Sequence, residues 1–144
     1  MLDLARQAMA PFSQRVQFVT GTVDDAPAGP FDGATCLLTL HFLSRPERLE
    51  TLQQIRRRLR TGARLVVAQH ASPDGDVERW LARSVAFGNE ASPDDAAARA
   101  AGRLLHERLT LLTAPEALMR AAGFVDVELF FAALSFRGWV GTAG

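Results

Sequence analysis

The most apolar stretch of the chain lies at residues 31–43, with the sequence FDGATCLLTLHFL. Its apolar residues are nearly continuous rather than alternating with polar ones, which is typical of a strand that is covered on both faces. Such strands belong to parallel sheets flanked by helices, and ligands bind these sheets at the carboxyl ends of the strands. We therefore expect residues 38–42, where this strand ends, to lie at the functional site.

Apolar residues at helical spacing follow this strand and predict a helix that begins near Pro46. The apolar stripe of this helix consists of Leu49, Leu52, Ile55 and Leu59. A further apolar run at residues 63–70 predicts a second buried strand, which ends in His70. The succession of strand, helix and strand indicates an α/β fold with right-handed crossovers.

The remaining segments complete this pattern. Alternating residues at 15–20 favour a short strand, and residues 72–108 contain two helical segments that we interpret as an insert, either a lid over a pocket or a packing element. Thr113 is a suitable cap for a last helix. Residues 124–131 and 134–140 then predict an antiparallel hairpin, because the connection between them is too short for a crossover helix.

Length and composition are those of one globular domain covering residues 1–144. Sixteen basic and sixteen acidic side chains cancel, so no overall charge favours nucleic acid or an anionic membrane. No apolar run approaches the ~20 residues of a membrane span, and the amino terminus does not resemble a signal peptide, so we expect a cytoplasmic protein. The single cysteine, Cys36, has apolar neighbours and is expected to be a core residue rather than a reactive thiol.

A cluster of arginines near the end of the predicted helix permits another interpretation. Its members are Arg56, Arg57, Arg58 and Arg60. Such a cluster can bind nucleic acid through phosphate contacts. Cations at the carboxyl terminus of a helix also complement the helix dipole while they stay solvated, and we favour this structural role. Nucleic-acid binding therefore ranks last among the functions considered.

Several local strings, taken in order, point to a known family. They are MLDLARQ, RVQFVTGTVDDAP, FDGATCLLTLHFL, RPERLETLQQIRRRLRTGARLVV, LTAPEALMRAAGF and VELFFAALSFRGWV. In this order the chain resembles the class I S-adenosylmethionine-dependent methyltransferases, from near the end of their second helix through the terminal hairpin. It looks most like the branch that contains carboxy-S-adenosylmethionine synthase and small-molecule methyltransferases. The resemblance implies S-adenosyl-L-methionine as the cofactor and a small molecule as the methyl acceptor.

The resemblance also assigns residues to the adenosine side of the cofactor. They are Thr22, Val23, Leu37, Leu38 and His41. Where the family usually has Gly-Asp before an apolar residue, this chain has Gly21 and Thr22, so a hydroxyl replaces the carboxylate that faces the adenine. Thr22 could equally start a turn. Leu37 stands where the synthase branch has an asparagine, which argues against carrying over the chemistry of that branch.

Two features of the family have no counterpart in this sequence, namely the Gly-rich loop after the first strand and the acid that ends the second strand. The resemblance therefore implies a Rossmann-like sheet with flanking helices that lacks its first two strands and ends in the hairpin. Residues 31–43 would then expose a long edge. Three alternatives stay open: residues 15–20 pair with this edge, a second copy or another chain covers it in a non-catalytic partner subunit, or the sequence is a truncated product.

Candidate catalytic residues are few. His41 and His70 each follow a predicted strand and could act as general bases or make structural hydrogen bonds, whereas His106 in the insert has a weaker claim. The sequence shows no Cys and His cluster with metal-ligand spacing, no Ser-centred elbow and no phosphate loop. Three aromatic residues could line an acceptor pocket or belong to the core: Trp80, Phe87 and Trp139.

Overall fold

The computed structural model describes residues 2–71, 77–90, 92, 95–109 and 115–144. The helices are α1 Leu2–Ala8, α2 Arg45–Arg58, α3 Val77–Gly88, α4 Ala96–Arg108 and α5 Pro115–Ala121. The strands are β1 Phe31–Leu37, β2 Leu59–His70, β3 Phe124–Ala133 and β4 Phe136–Ala143. Short 3-10 turns occupy Ala10–Arg15, Val23–Asp25 and Leu40–Phe42.

The strands form one mixed sheet in the order β1-β2-β4-β3. β1 and β2 are parallel, and α2 connects them, whereas β4 is antiparallel to both of its neighbours. The predicted α/β sheet with flanking helices and a terminal hairpin is therefore confirmed. Because β1 and β2 run in the same direction, their carboxyl ends meet at one edge of the sheet.

Helix α2 packs against the sheet and contributes apolar side chains to the core. At its start, the backbone N–H of Ser44 donates to the carboxylate of Glu47 at 2.8 Å, which satisfies one of the free donors at a helix amino terminus. Leu52 and Ile55 are buried on the same side of the helix, and they belong to one apolar cluster with Leu65 of β2. The helix predicted from Pro46 is confirmed, but Leu59, which was expected on its apolar stripe, is the first residue of β2.

The strand predicted at residues 31–43 is shorter and more exposed than expected. β1 ends at Leu37, the next residue, Leu38, has a φ of 54°, and a 3-10 turn follows. Phe31 is 40% exposed and Leu37 is 54% exposed. The prediction of burial on both faces is wrong, because Cys36 is the only buried residue of β1. In the described chain only β2 pairs with β1, so the outer edge of β1 is uncovered as well.

The prediction of a strand at residues 15–20 is also wrong. The chain forms a 3-10 turn over Ala10–Arg15 and then continues without regular structure to residue 20. Within the described residues β1 pairs only with β2, so the alternative in which residues 15–20 cover the β1 edge is wrong too. An alternating sequence forms a strand only where a neighbouring strand accepts its backbone hydrogen bonds.

Helices α3 and α4 pack closely on each other. A Cβ atom at Gly102 of α4 would lie 2.8 Å from the backbone nitrogen of Ala82 in α3, so the close approach requires glycine. The cap predicted at Thr113 lies outside the described residues. Among the helices that the structure describes, none combines the length and the apolar character that a membrane span needs.

Candidate functional site

Two features lie near the carboxyl ends of β1 and β2, a groove beside β1 and a pair of histidines. The groove, here called the β1 groove, is bounded by the loop at residues 21–26, by β1 and by α2, and it has a volume of 540 Å³. A connected part of 350 Å³ extends along the amino-terminal half of α2. Most of the wall is apolar, and Thr22 and Thr39 line both parts. These volumes fall in the range of small-molecule sites, about 300–1,000 Å³.

The loop that carries Thr22 is held by its own hydrogen bonds. The carboxylate of Asp25 accepts the backbone N–H of Thr22 at 2.7 Å and the Thr22 hydroxyl at 3.4 Å. The same hydroxyl accepts the backbone N–H of Asp24 at 3.3 Å. Its only proton is thus used within the loop, and one lone pair remains for a ligand. Thr22 therefore starts a turn and lines the groove at the same time.

Asp24 is a groove residue that the sequence pattern did not single out. It lines the 350 Å³ part of the groove together with Thr22 and Val23. An ionised carboxylate is a stronger hydrogen-bond acceptor than a hydroxyl, so Asp24 can supply the acceptor that Thr22 supplies only weakly. The signal in the sequence was an acid two residues after the position where the family has one.

The structure brings together only part of the predicted adenosine side. Thr22, Val23 and Leu37 line the β1 groove. Leu38 is 48% exposed just beyond the end of β1, and it does not line the groove. His41 lies in the following 3-10 turn and is buried at 2% exposure against the end of β2 rather than in the groove.

A fully buried glutamine holds His41. Gln69 Nε2 donates to the backbone oxygen of Cys36 at 3.0 Å, and Gln69 Oε1 lies 2.9 Å from His41 Nδ1. A carbonyl oxygen can only accept, so the NH₂ group of Gln69 faces Cys36 and its oxygen faces the imidazole. His41 Nδ1 must therefore carry a proton, and Nε2 is left with a free lone pair. In this tautomer Nε2 can accept a proton.

His70 lies beside His41. The two ring centroids are 5.0 Å apart in an edge-to-face arrangement, and His70 Nδ1 lies 3.0 Å from the Ser135 hydroxyl. Burial lowers the pKa of His41, and the charge of Arg48 lowers it further, against an opposing effect of the Gln69 hydrogen bond. Burial also lowers the pKa of His70, and the neighbouring His41 adds to this effect. Both histidines are thus neutral near pH 7.

The other candidate residues lie away from this site or in the core. His106 is half-exposed, 3.7 Å from the carboxylate of Glu78 on α3. Trp139 is buried, and its indole N–H donates to Glu116 at 2.7 Å. Cys36 is buried, as expected of a core residue, and burial raises its pKa to about 11, so we expect its thiol to be unreactive.

Two of the aromatic candidates are on α3. Phe87 is 79% exposed at the end of the helix, and the guanidinium of Arg83 lies 5.1 Å from the Trp80 ring. Neither side chain lines the β1 groove. Among the residues that the structure describes, no three His, Cys, Asp or Glu side chains are placed to hold a metal ion.

The arginines at the end of α2 make contacts within the chain. Arg56 donates to the backbone oxygens of Gly123 and Leu59, each at 3.3 Å. Arg58 donates to the Gln54 side chain at 2.8 Å and also reaches the loop at residues 24–26. These arginines therefore tie α2 to the groove loop and to the start of β3.

Comparison with known proteins supports a methyltransferase fold. The profile of a family described as methyltransferase domain matches residues 1–62, which include the loop and strand of the β1 groove. A search of curated protein sequences finds no match to this chain.

Solved structures agree with this family match. An O-methyltransferase family protein from Burkholderia thailandensis superposes with a TM-score of 0.68 at 18% identity, over 97% of this chain and 40% of that one. PigF, solved with SAH, superposes with a TM-score of 0.62 at 19% identity, again over 97% and 40%. A SAM-dependent methyltransferase from Thermotoga maritima gives a TM-score of 0.57 at 20% identity, over 96% and 69%.

At these identities the solved structures show the fold. The chain spans less than half the length of the O-methyltransferase family protein and of PigF. Residues 1–62 thus match a methyltransferase domain, and nearly the whole chain has a fold similar to that of solved SAM-dependent methyltransferases.

Proposed function

We propose that this chain is a single methyltransferase domain that binds S-adenosyl-L-methionine in the β1 groove and methylates a small-molecule acceptor. The observation that carries the proposal is the groove itself, which lies beside the strand and loop of the family match. The chain spans only part of its solved relatives, so the proposal concerns the contribution of these residues to the cofactor site.

The groove residues fit the adenosine part of this cofactor. Val23 and Leu37 provide apolar walls against which a purine ring can pack, and the Asp24 carboxylate can accept hydrogen bonds from the adenine amino group. Leu38 and His41 remain predictions as cofactor contacts. When bound, the cofactor supplies the activated methyl group.

His41 is the first candidate for a general base in this proposal. Its Nε2 has a free lone pair because Gln69 holds the proton on Nδ1. The lowered pKa keeps the imidazole neutral near pH 7, so it can take a proton from an acceptor hydroxyl or amine. Helices α3 and α4, within the predicted insert at residues 72–108, are proposed to cover the acceptor.

Calorimetric titration with S-adenosylhomocysteine, the product form of the cofactor, tests the proposal. Thr39→Trp places a large ring at an exposed position that lines both parts of the groove. Thr61→Trp makes the same change at an exposed position outside the groove and serves as the control.

The wild-type chain should bind, Thr39→Trp should lose about tenfold or more in affinity, and Thr61→Trp should stay close to the wild type. A tenfold loss corresponds to about 1.4 kcal/mol, which is modest for a ring that fills the site. Failure of the wild-type chain to bind would refute the proposal, as would equal binding by both tryptophan variants.

A second candidate function is that of a partner subunit that pairs through β1. The observation in its favour is the outer edge of β1, which no described strand covers and along which Phe31 and Leu37 are exposed. The mass of the wild-type chain in solution should then exceed that of one copy, and Leu37→Lys should lower it. A monomeric wild-type chain would refute pairing between copies.

A further inference from the structure

A chain of hydrogen bonds joins His70 to helix α3 through the turn between β3 and β4. His70 Nδ1 lies 3.0 Å from Ser135 Oγ, which lies 2.7 Å from Ser84 Oγ. Ser84 Oγ is in turn 3.0 Å from the backbone oxygen of Trp80, and the backbone N–H of Ser135 donates to Ser84 Oγ. Ser135 is fully buried, so water does not compete at the centre of this relay.

Only one arrangement of protons satisfies every contact in the relay. The Trp80 carbonyl oxygen can only accept, so it takes the single hydroxyl proton of Ser84. Ser84 Oγ must then accept the hydroxyl proton of Ser135, and Ser135 Oγ must accept from His70. His70 Nδ1 therefore carries a proton, and its Nε2 is left with a free lone pair.

We propose that Ser135 and Ser84 are positioning residues that keep Nε2 of His70 unprotonated, so that His70 is a second proton acceptor for the reaction. This inference rests on the proposed function, because it gives His70 a role toward the methyl acceptor. His70 is only partly buried, whereas His41 is 2% exposed, so His70 is the more open of the two rings.

In this role His70 takes up one proton. The acceptor gives the proton of its hydroxyl or amine to Nε2 of His70, and the electron pair of that bond stays on the acceptor oxygen or nitrogen. The resulting imidazolium keeps its Nδ1–H bond to Ser135. Because the relay ends on α3, the tautomer of His70 depends on the packing of α3 against the turn between β3 and β4.

The tautomer of His70 can be measured directly by long-range proton–nitrogen correlation NMR on the full chain. The two variants that test the relay are Ser135→Ala, which removes the partner of His70, and Ser84→Ala, which acts one step away from the ring. Ser84→Thr keeps the hydroxyl, which in a helix can still donate to the carbonyl four residues earlier. Ser13→Ala, at an exposed position, is the control.

In the wild-type chain the Nδ1–H tautomer of His70 should exceed the other by about fivefold or more, as one ordinary hydrogen bond requires. Ser84→Ala frees the Ser135 proton for Nδ1, so the ratio should invert, and Ser84→Thr should restore it. Ser135→Ala should bring the two tautomers closer to equal. Ser13→Ala should leave the spectrum unchanged.

Acylation by diethyl pyrocarbonate, which attacks unprotonated imidazole nitrogen, tests the access to Nε2. His70 should react faster than the buried His41, and Ser84→Ala should slow the acylation of His70 about fivefold or more, because Nε2 then carries the proton in most molecules. A wild-type His70 with its proton on Nε2, a folded Ser84→Ala chain with an unchanged ratio, or an unreactive His70 would each overturn the proposal. None of these measurements needs a cofactor. Their outcome is therefore independent of whether S-adenosylhomocysteine binds.

Discussion

Replacing Gln69 by leucine should destabilise the chain and remove the hydrogen bond that holds the His41 ring. Gln69 is fully buried, and its amide makes two hydrogen bonds, to the backbone oxygen of Cys36 and to His41 Nδ1. Leucine has a similar size but no polar atoms. The change therefore leaves two buried polar groups without these partners, at a cost of about 1–3 kcal/mol for each.

The net effect follows from these two losses and one gain. Two unsatisfied groups cost about 2–6 kcal/mol together, and the more apolar leucine side chain offsets about 1–2 kcal/mol of this by burial. With the middle of each range, the free energy of unfolding should fall by about 2–3 kcal/mol. Small domains have stabilities of about 5–15 kcal/mol, so the variant should still fold at low temperature.

Urea denaturation followed by circular dichroism measures this loss. With a slope of about 1–3 kcal/mol per molar urea, the midpoint should shift down by about 1 M. Gln17→Leu, at an exposed position, is the matched control and should change the stability by less than about 0.5 kcal/mol. An equal effect of the two substitutions would refute the account of Gln69 as a buried hydrogen-bonding bridge.

Three further predictions follow from the described side chains. Burial lowers the pKa of His41 and of His70 below 6.5, so the unfolded chain binds protons more readily and the free energy of unfolding should fall as the pH drops below about 6.5; a flat profile in urea melts between about pH 7.5 and 5 would contradict this. The pKa of Cys36 is raised from 9.0 to about 11, so iodoacetamide at about pH 8 should alkylate the native thiol about 100-fold more slowly than the unfolded one, and equal rates would show an open thiol. Leu40→Ala should lose about 2–5 kcal/mol in thermal melts because Leu40 is fully buried, whereas Phe42→Ala, at a residue 68% exposed, should lose less than about 1 kcal/mol; similar losses would show that the core does not include Leu40.

The elements that local patterns specify were predictable from the sequence. The apolar spacing after Pro46 gave α2, and the short connection after residue 131 gave the terminal hairpin. Both depend on contacts between residues that are close in the chain, so the pattern of apolar and polar positions is sufficient. The resemblance to the family added the arrangement of these elements in one sheet.

The burial of β1 and the strand at residues 15–20 were not predictable in the same way. Their sequences are apolar or alternating, but a strand forms and is buried only when other strands or helices cover it. In the described chain nothing pairs with the outer edge of β1. The sequence pattern indicates which structures a segment can form. Whether it forms one of them depends on the strands and helices that pack beside it.

The hydrogen bonds of the two histidines also required the structure. His41 and Gln69 are 28 residues apart, and His70 and Ser135 are 65 residues apart. Their contacts arise because the ends of β1 and β2 meet beside the turn between β3 and β4. The sequence indicated the two histidines as candidates, but the tautomer of each depends on partners that only the folded sheet brings near.

In the proposed function, the β1 groove holds the adenosine part of the cofactor. The most direct test is a titration of the nitrogen-15-labelled chain with S-adenosylhomocysteine, followed through the backbone amide resonances. We expect saturable shifts that are largest at four residues that line the groove, Thr22, Val23, Leu37 and Thr39. Shifts confined to the separate cavity between α2 and α5, which Ala117 lines, or no saturable shift at all, would contradict it.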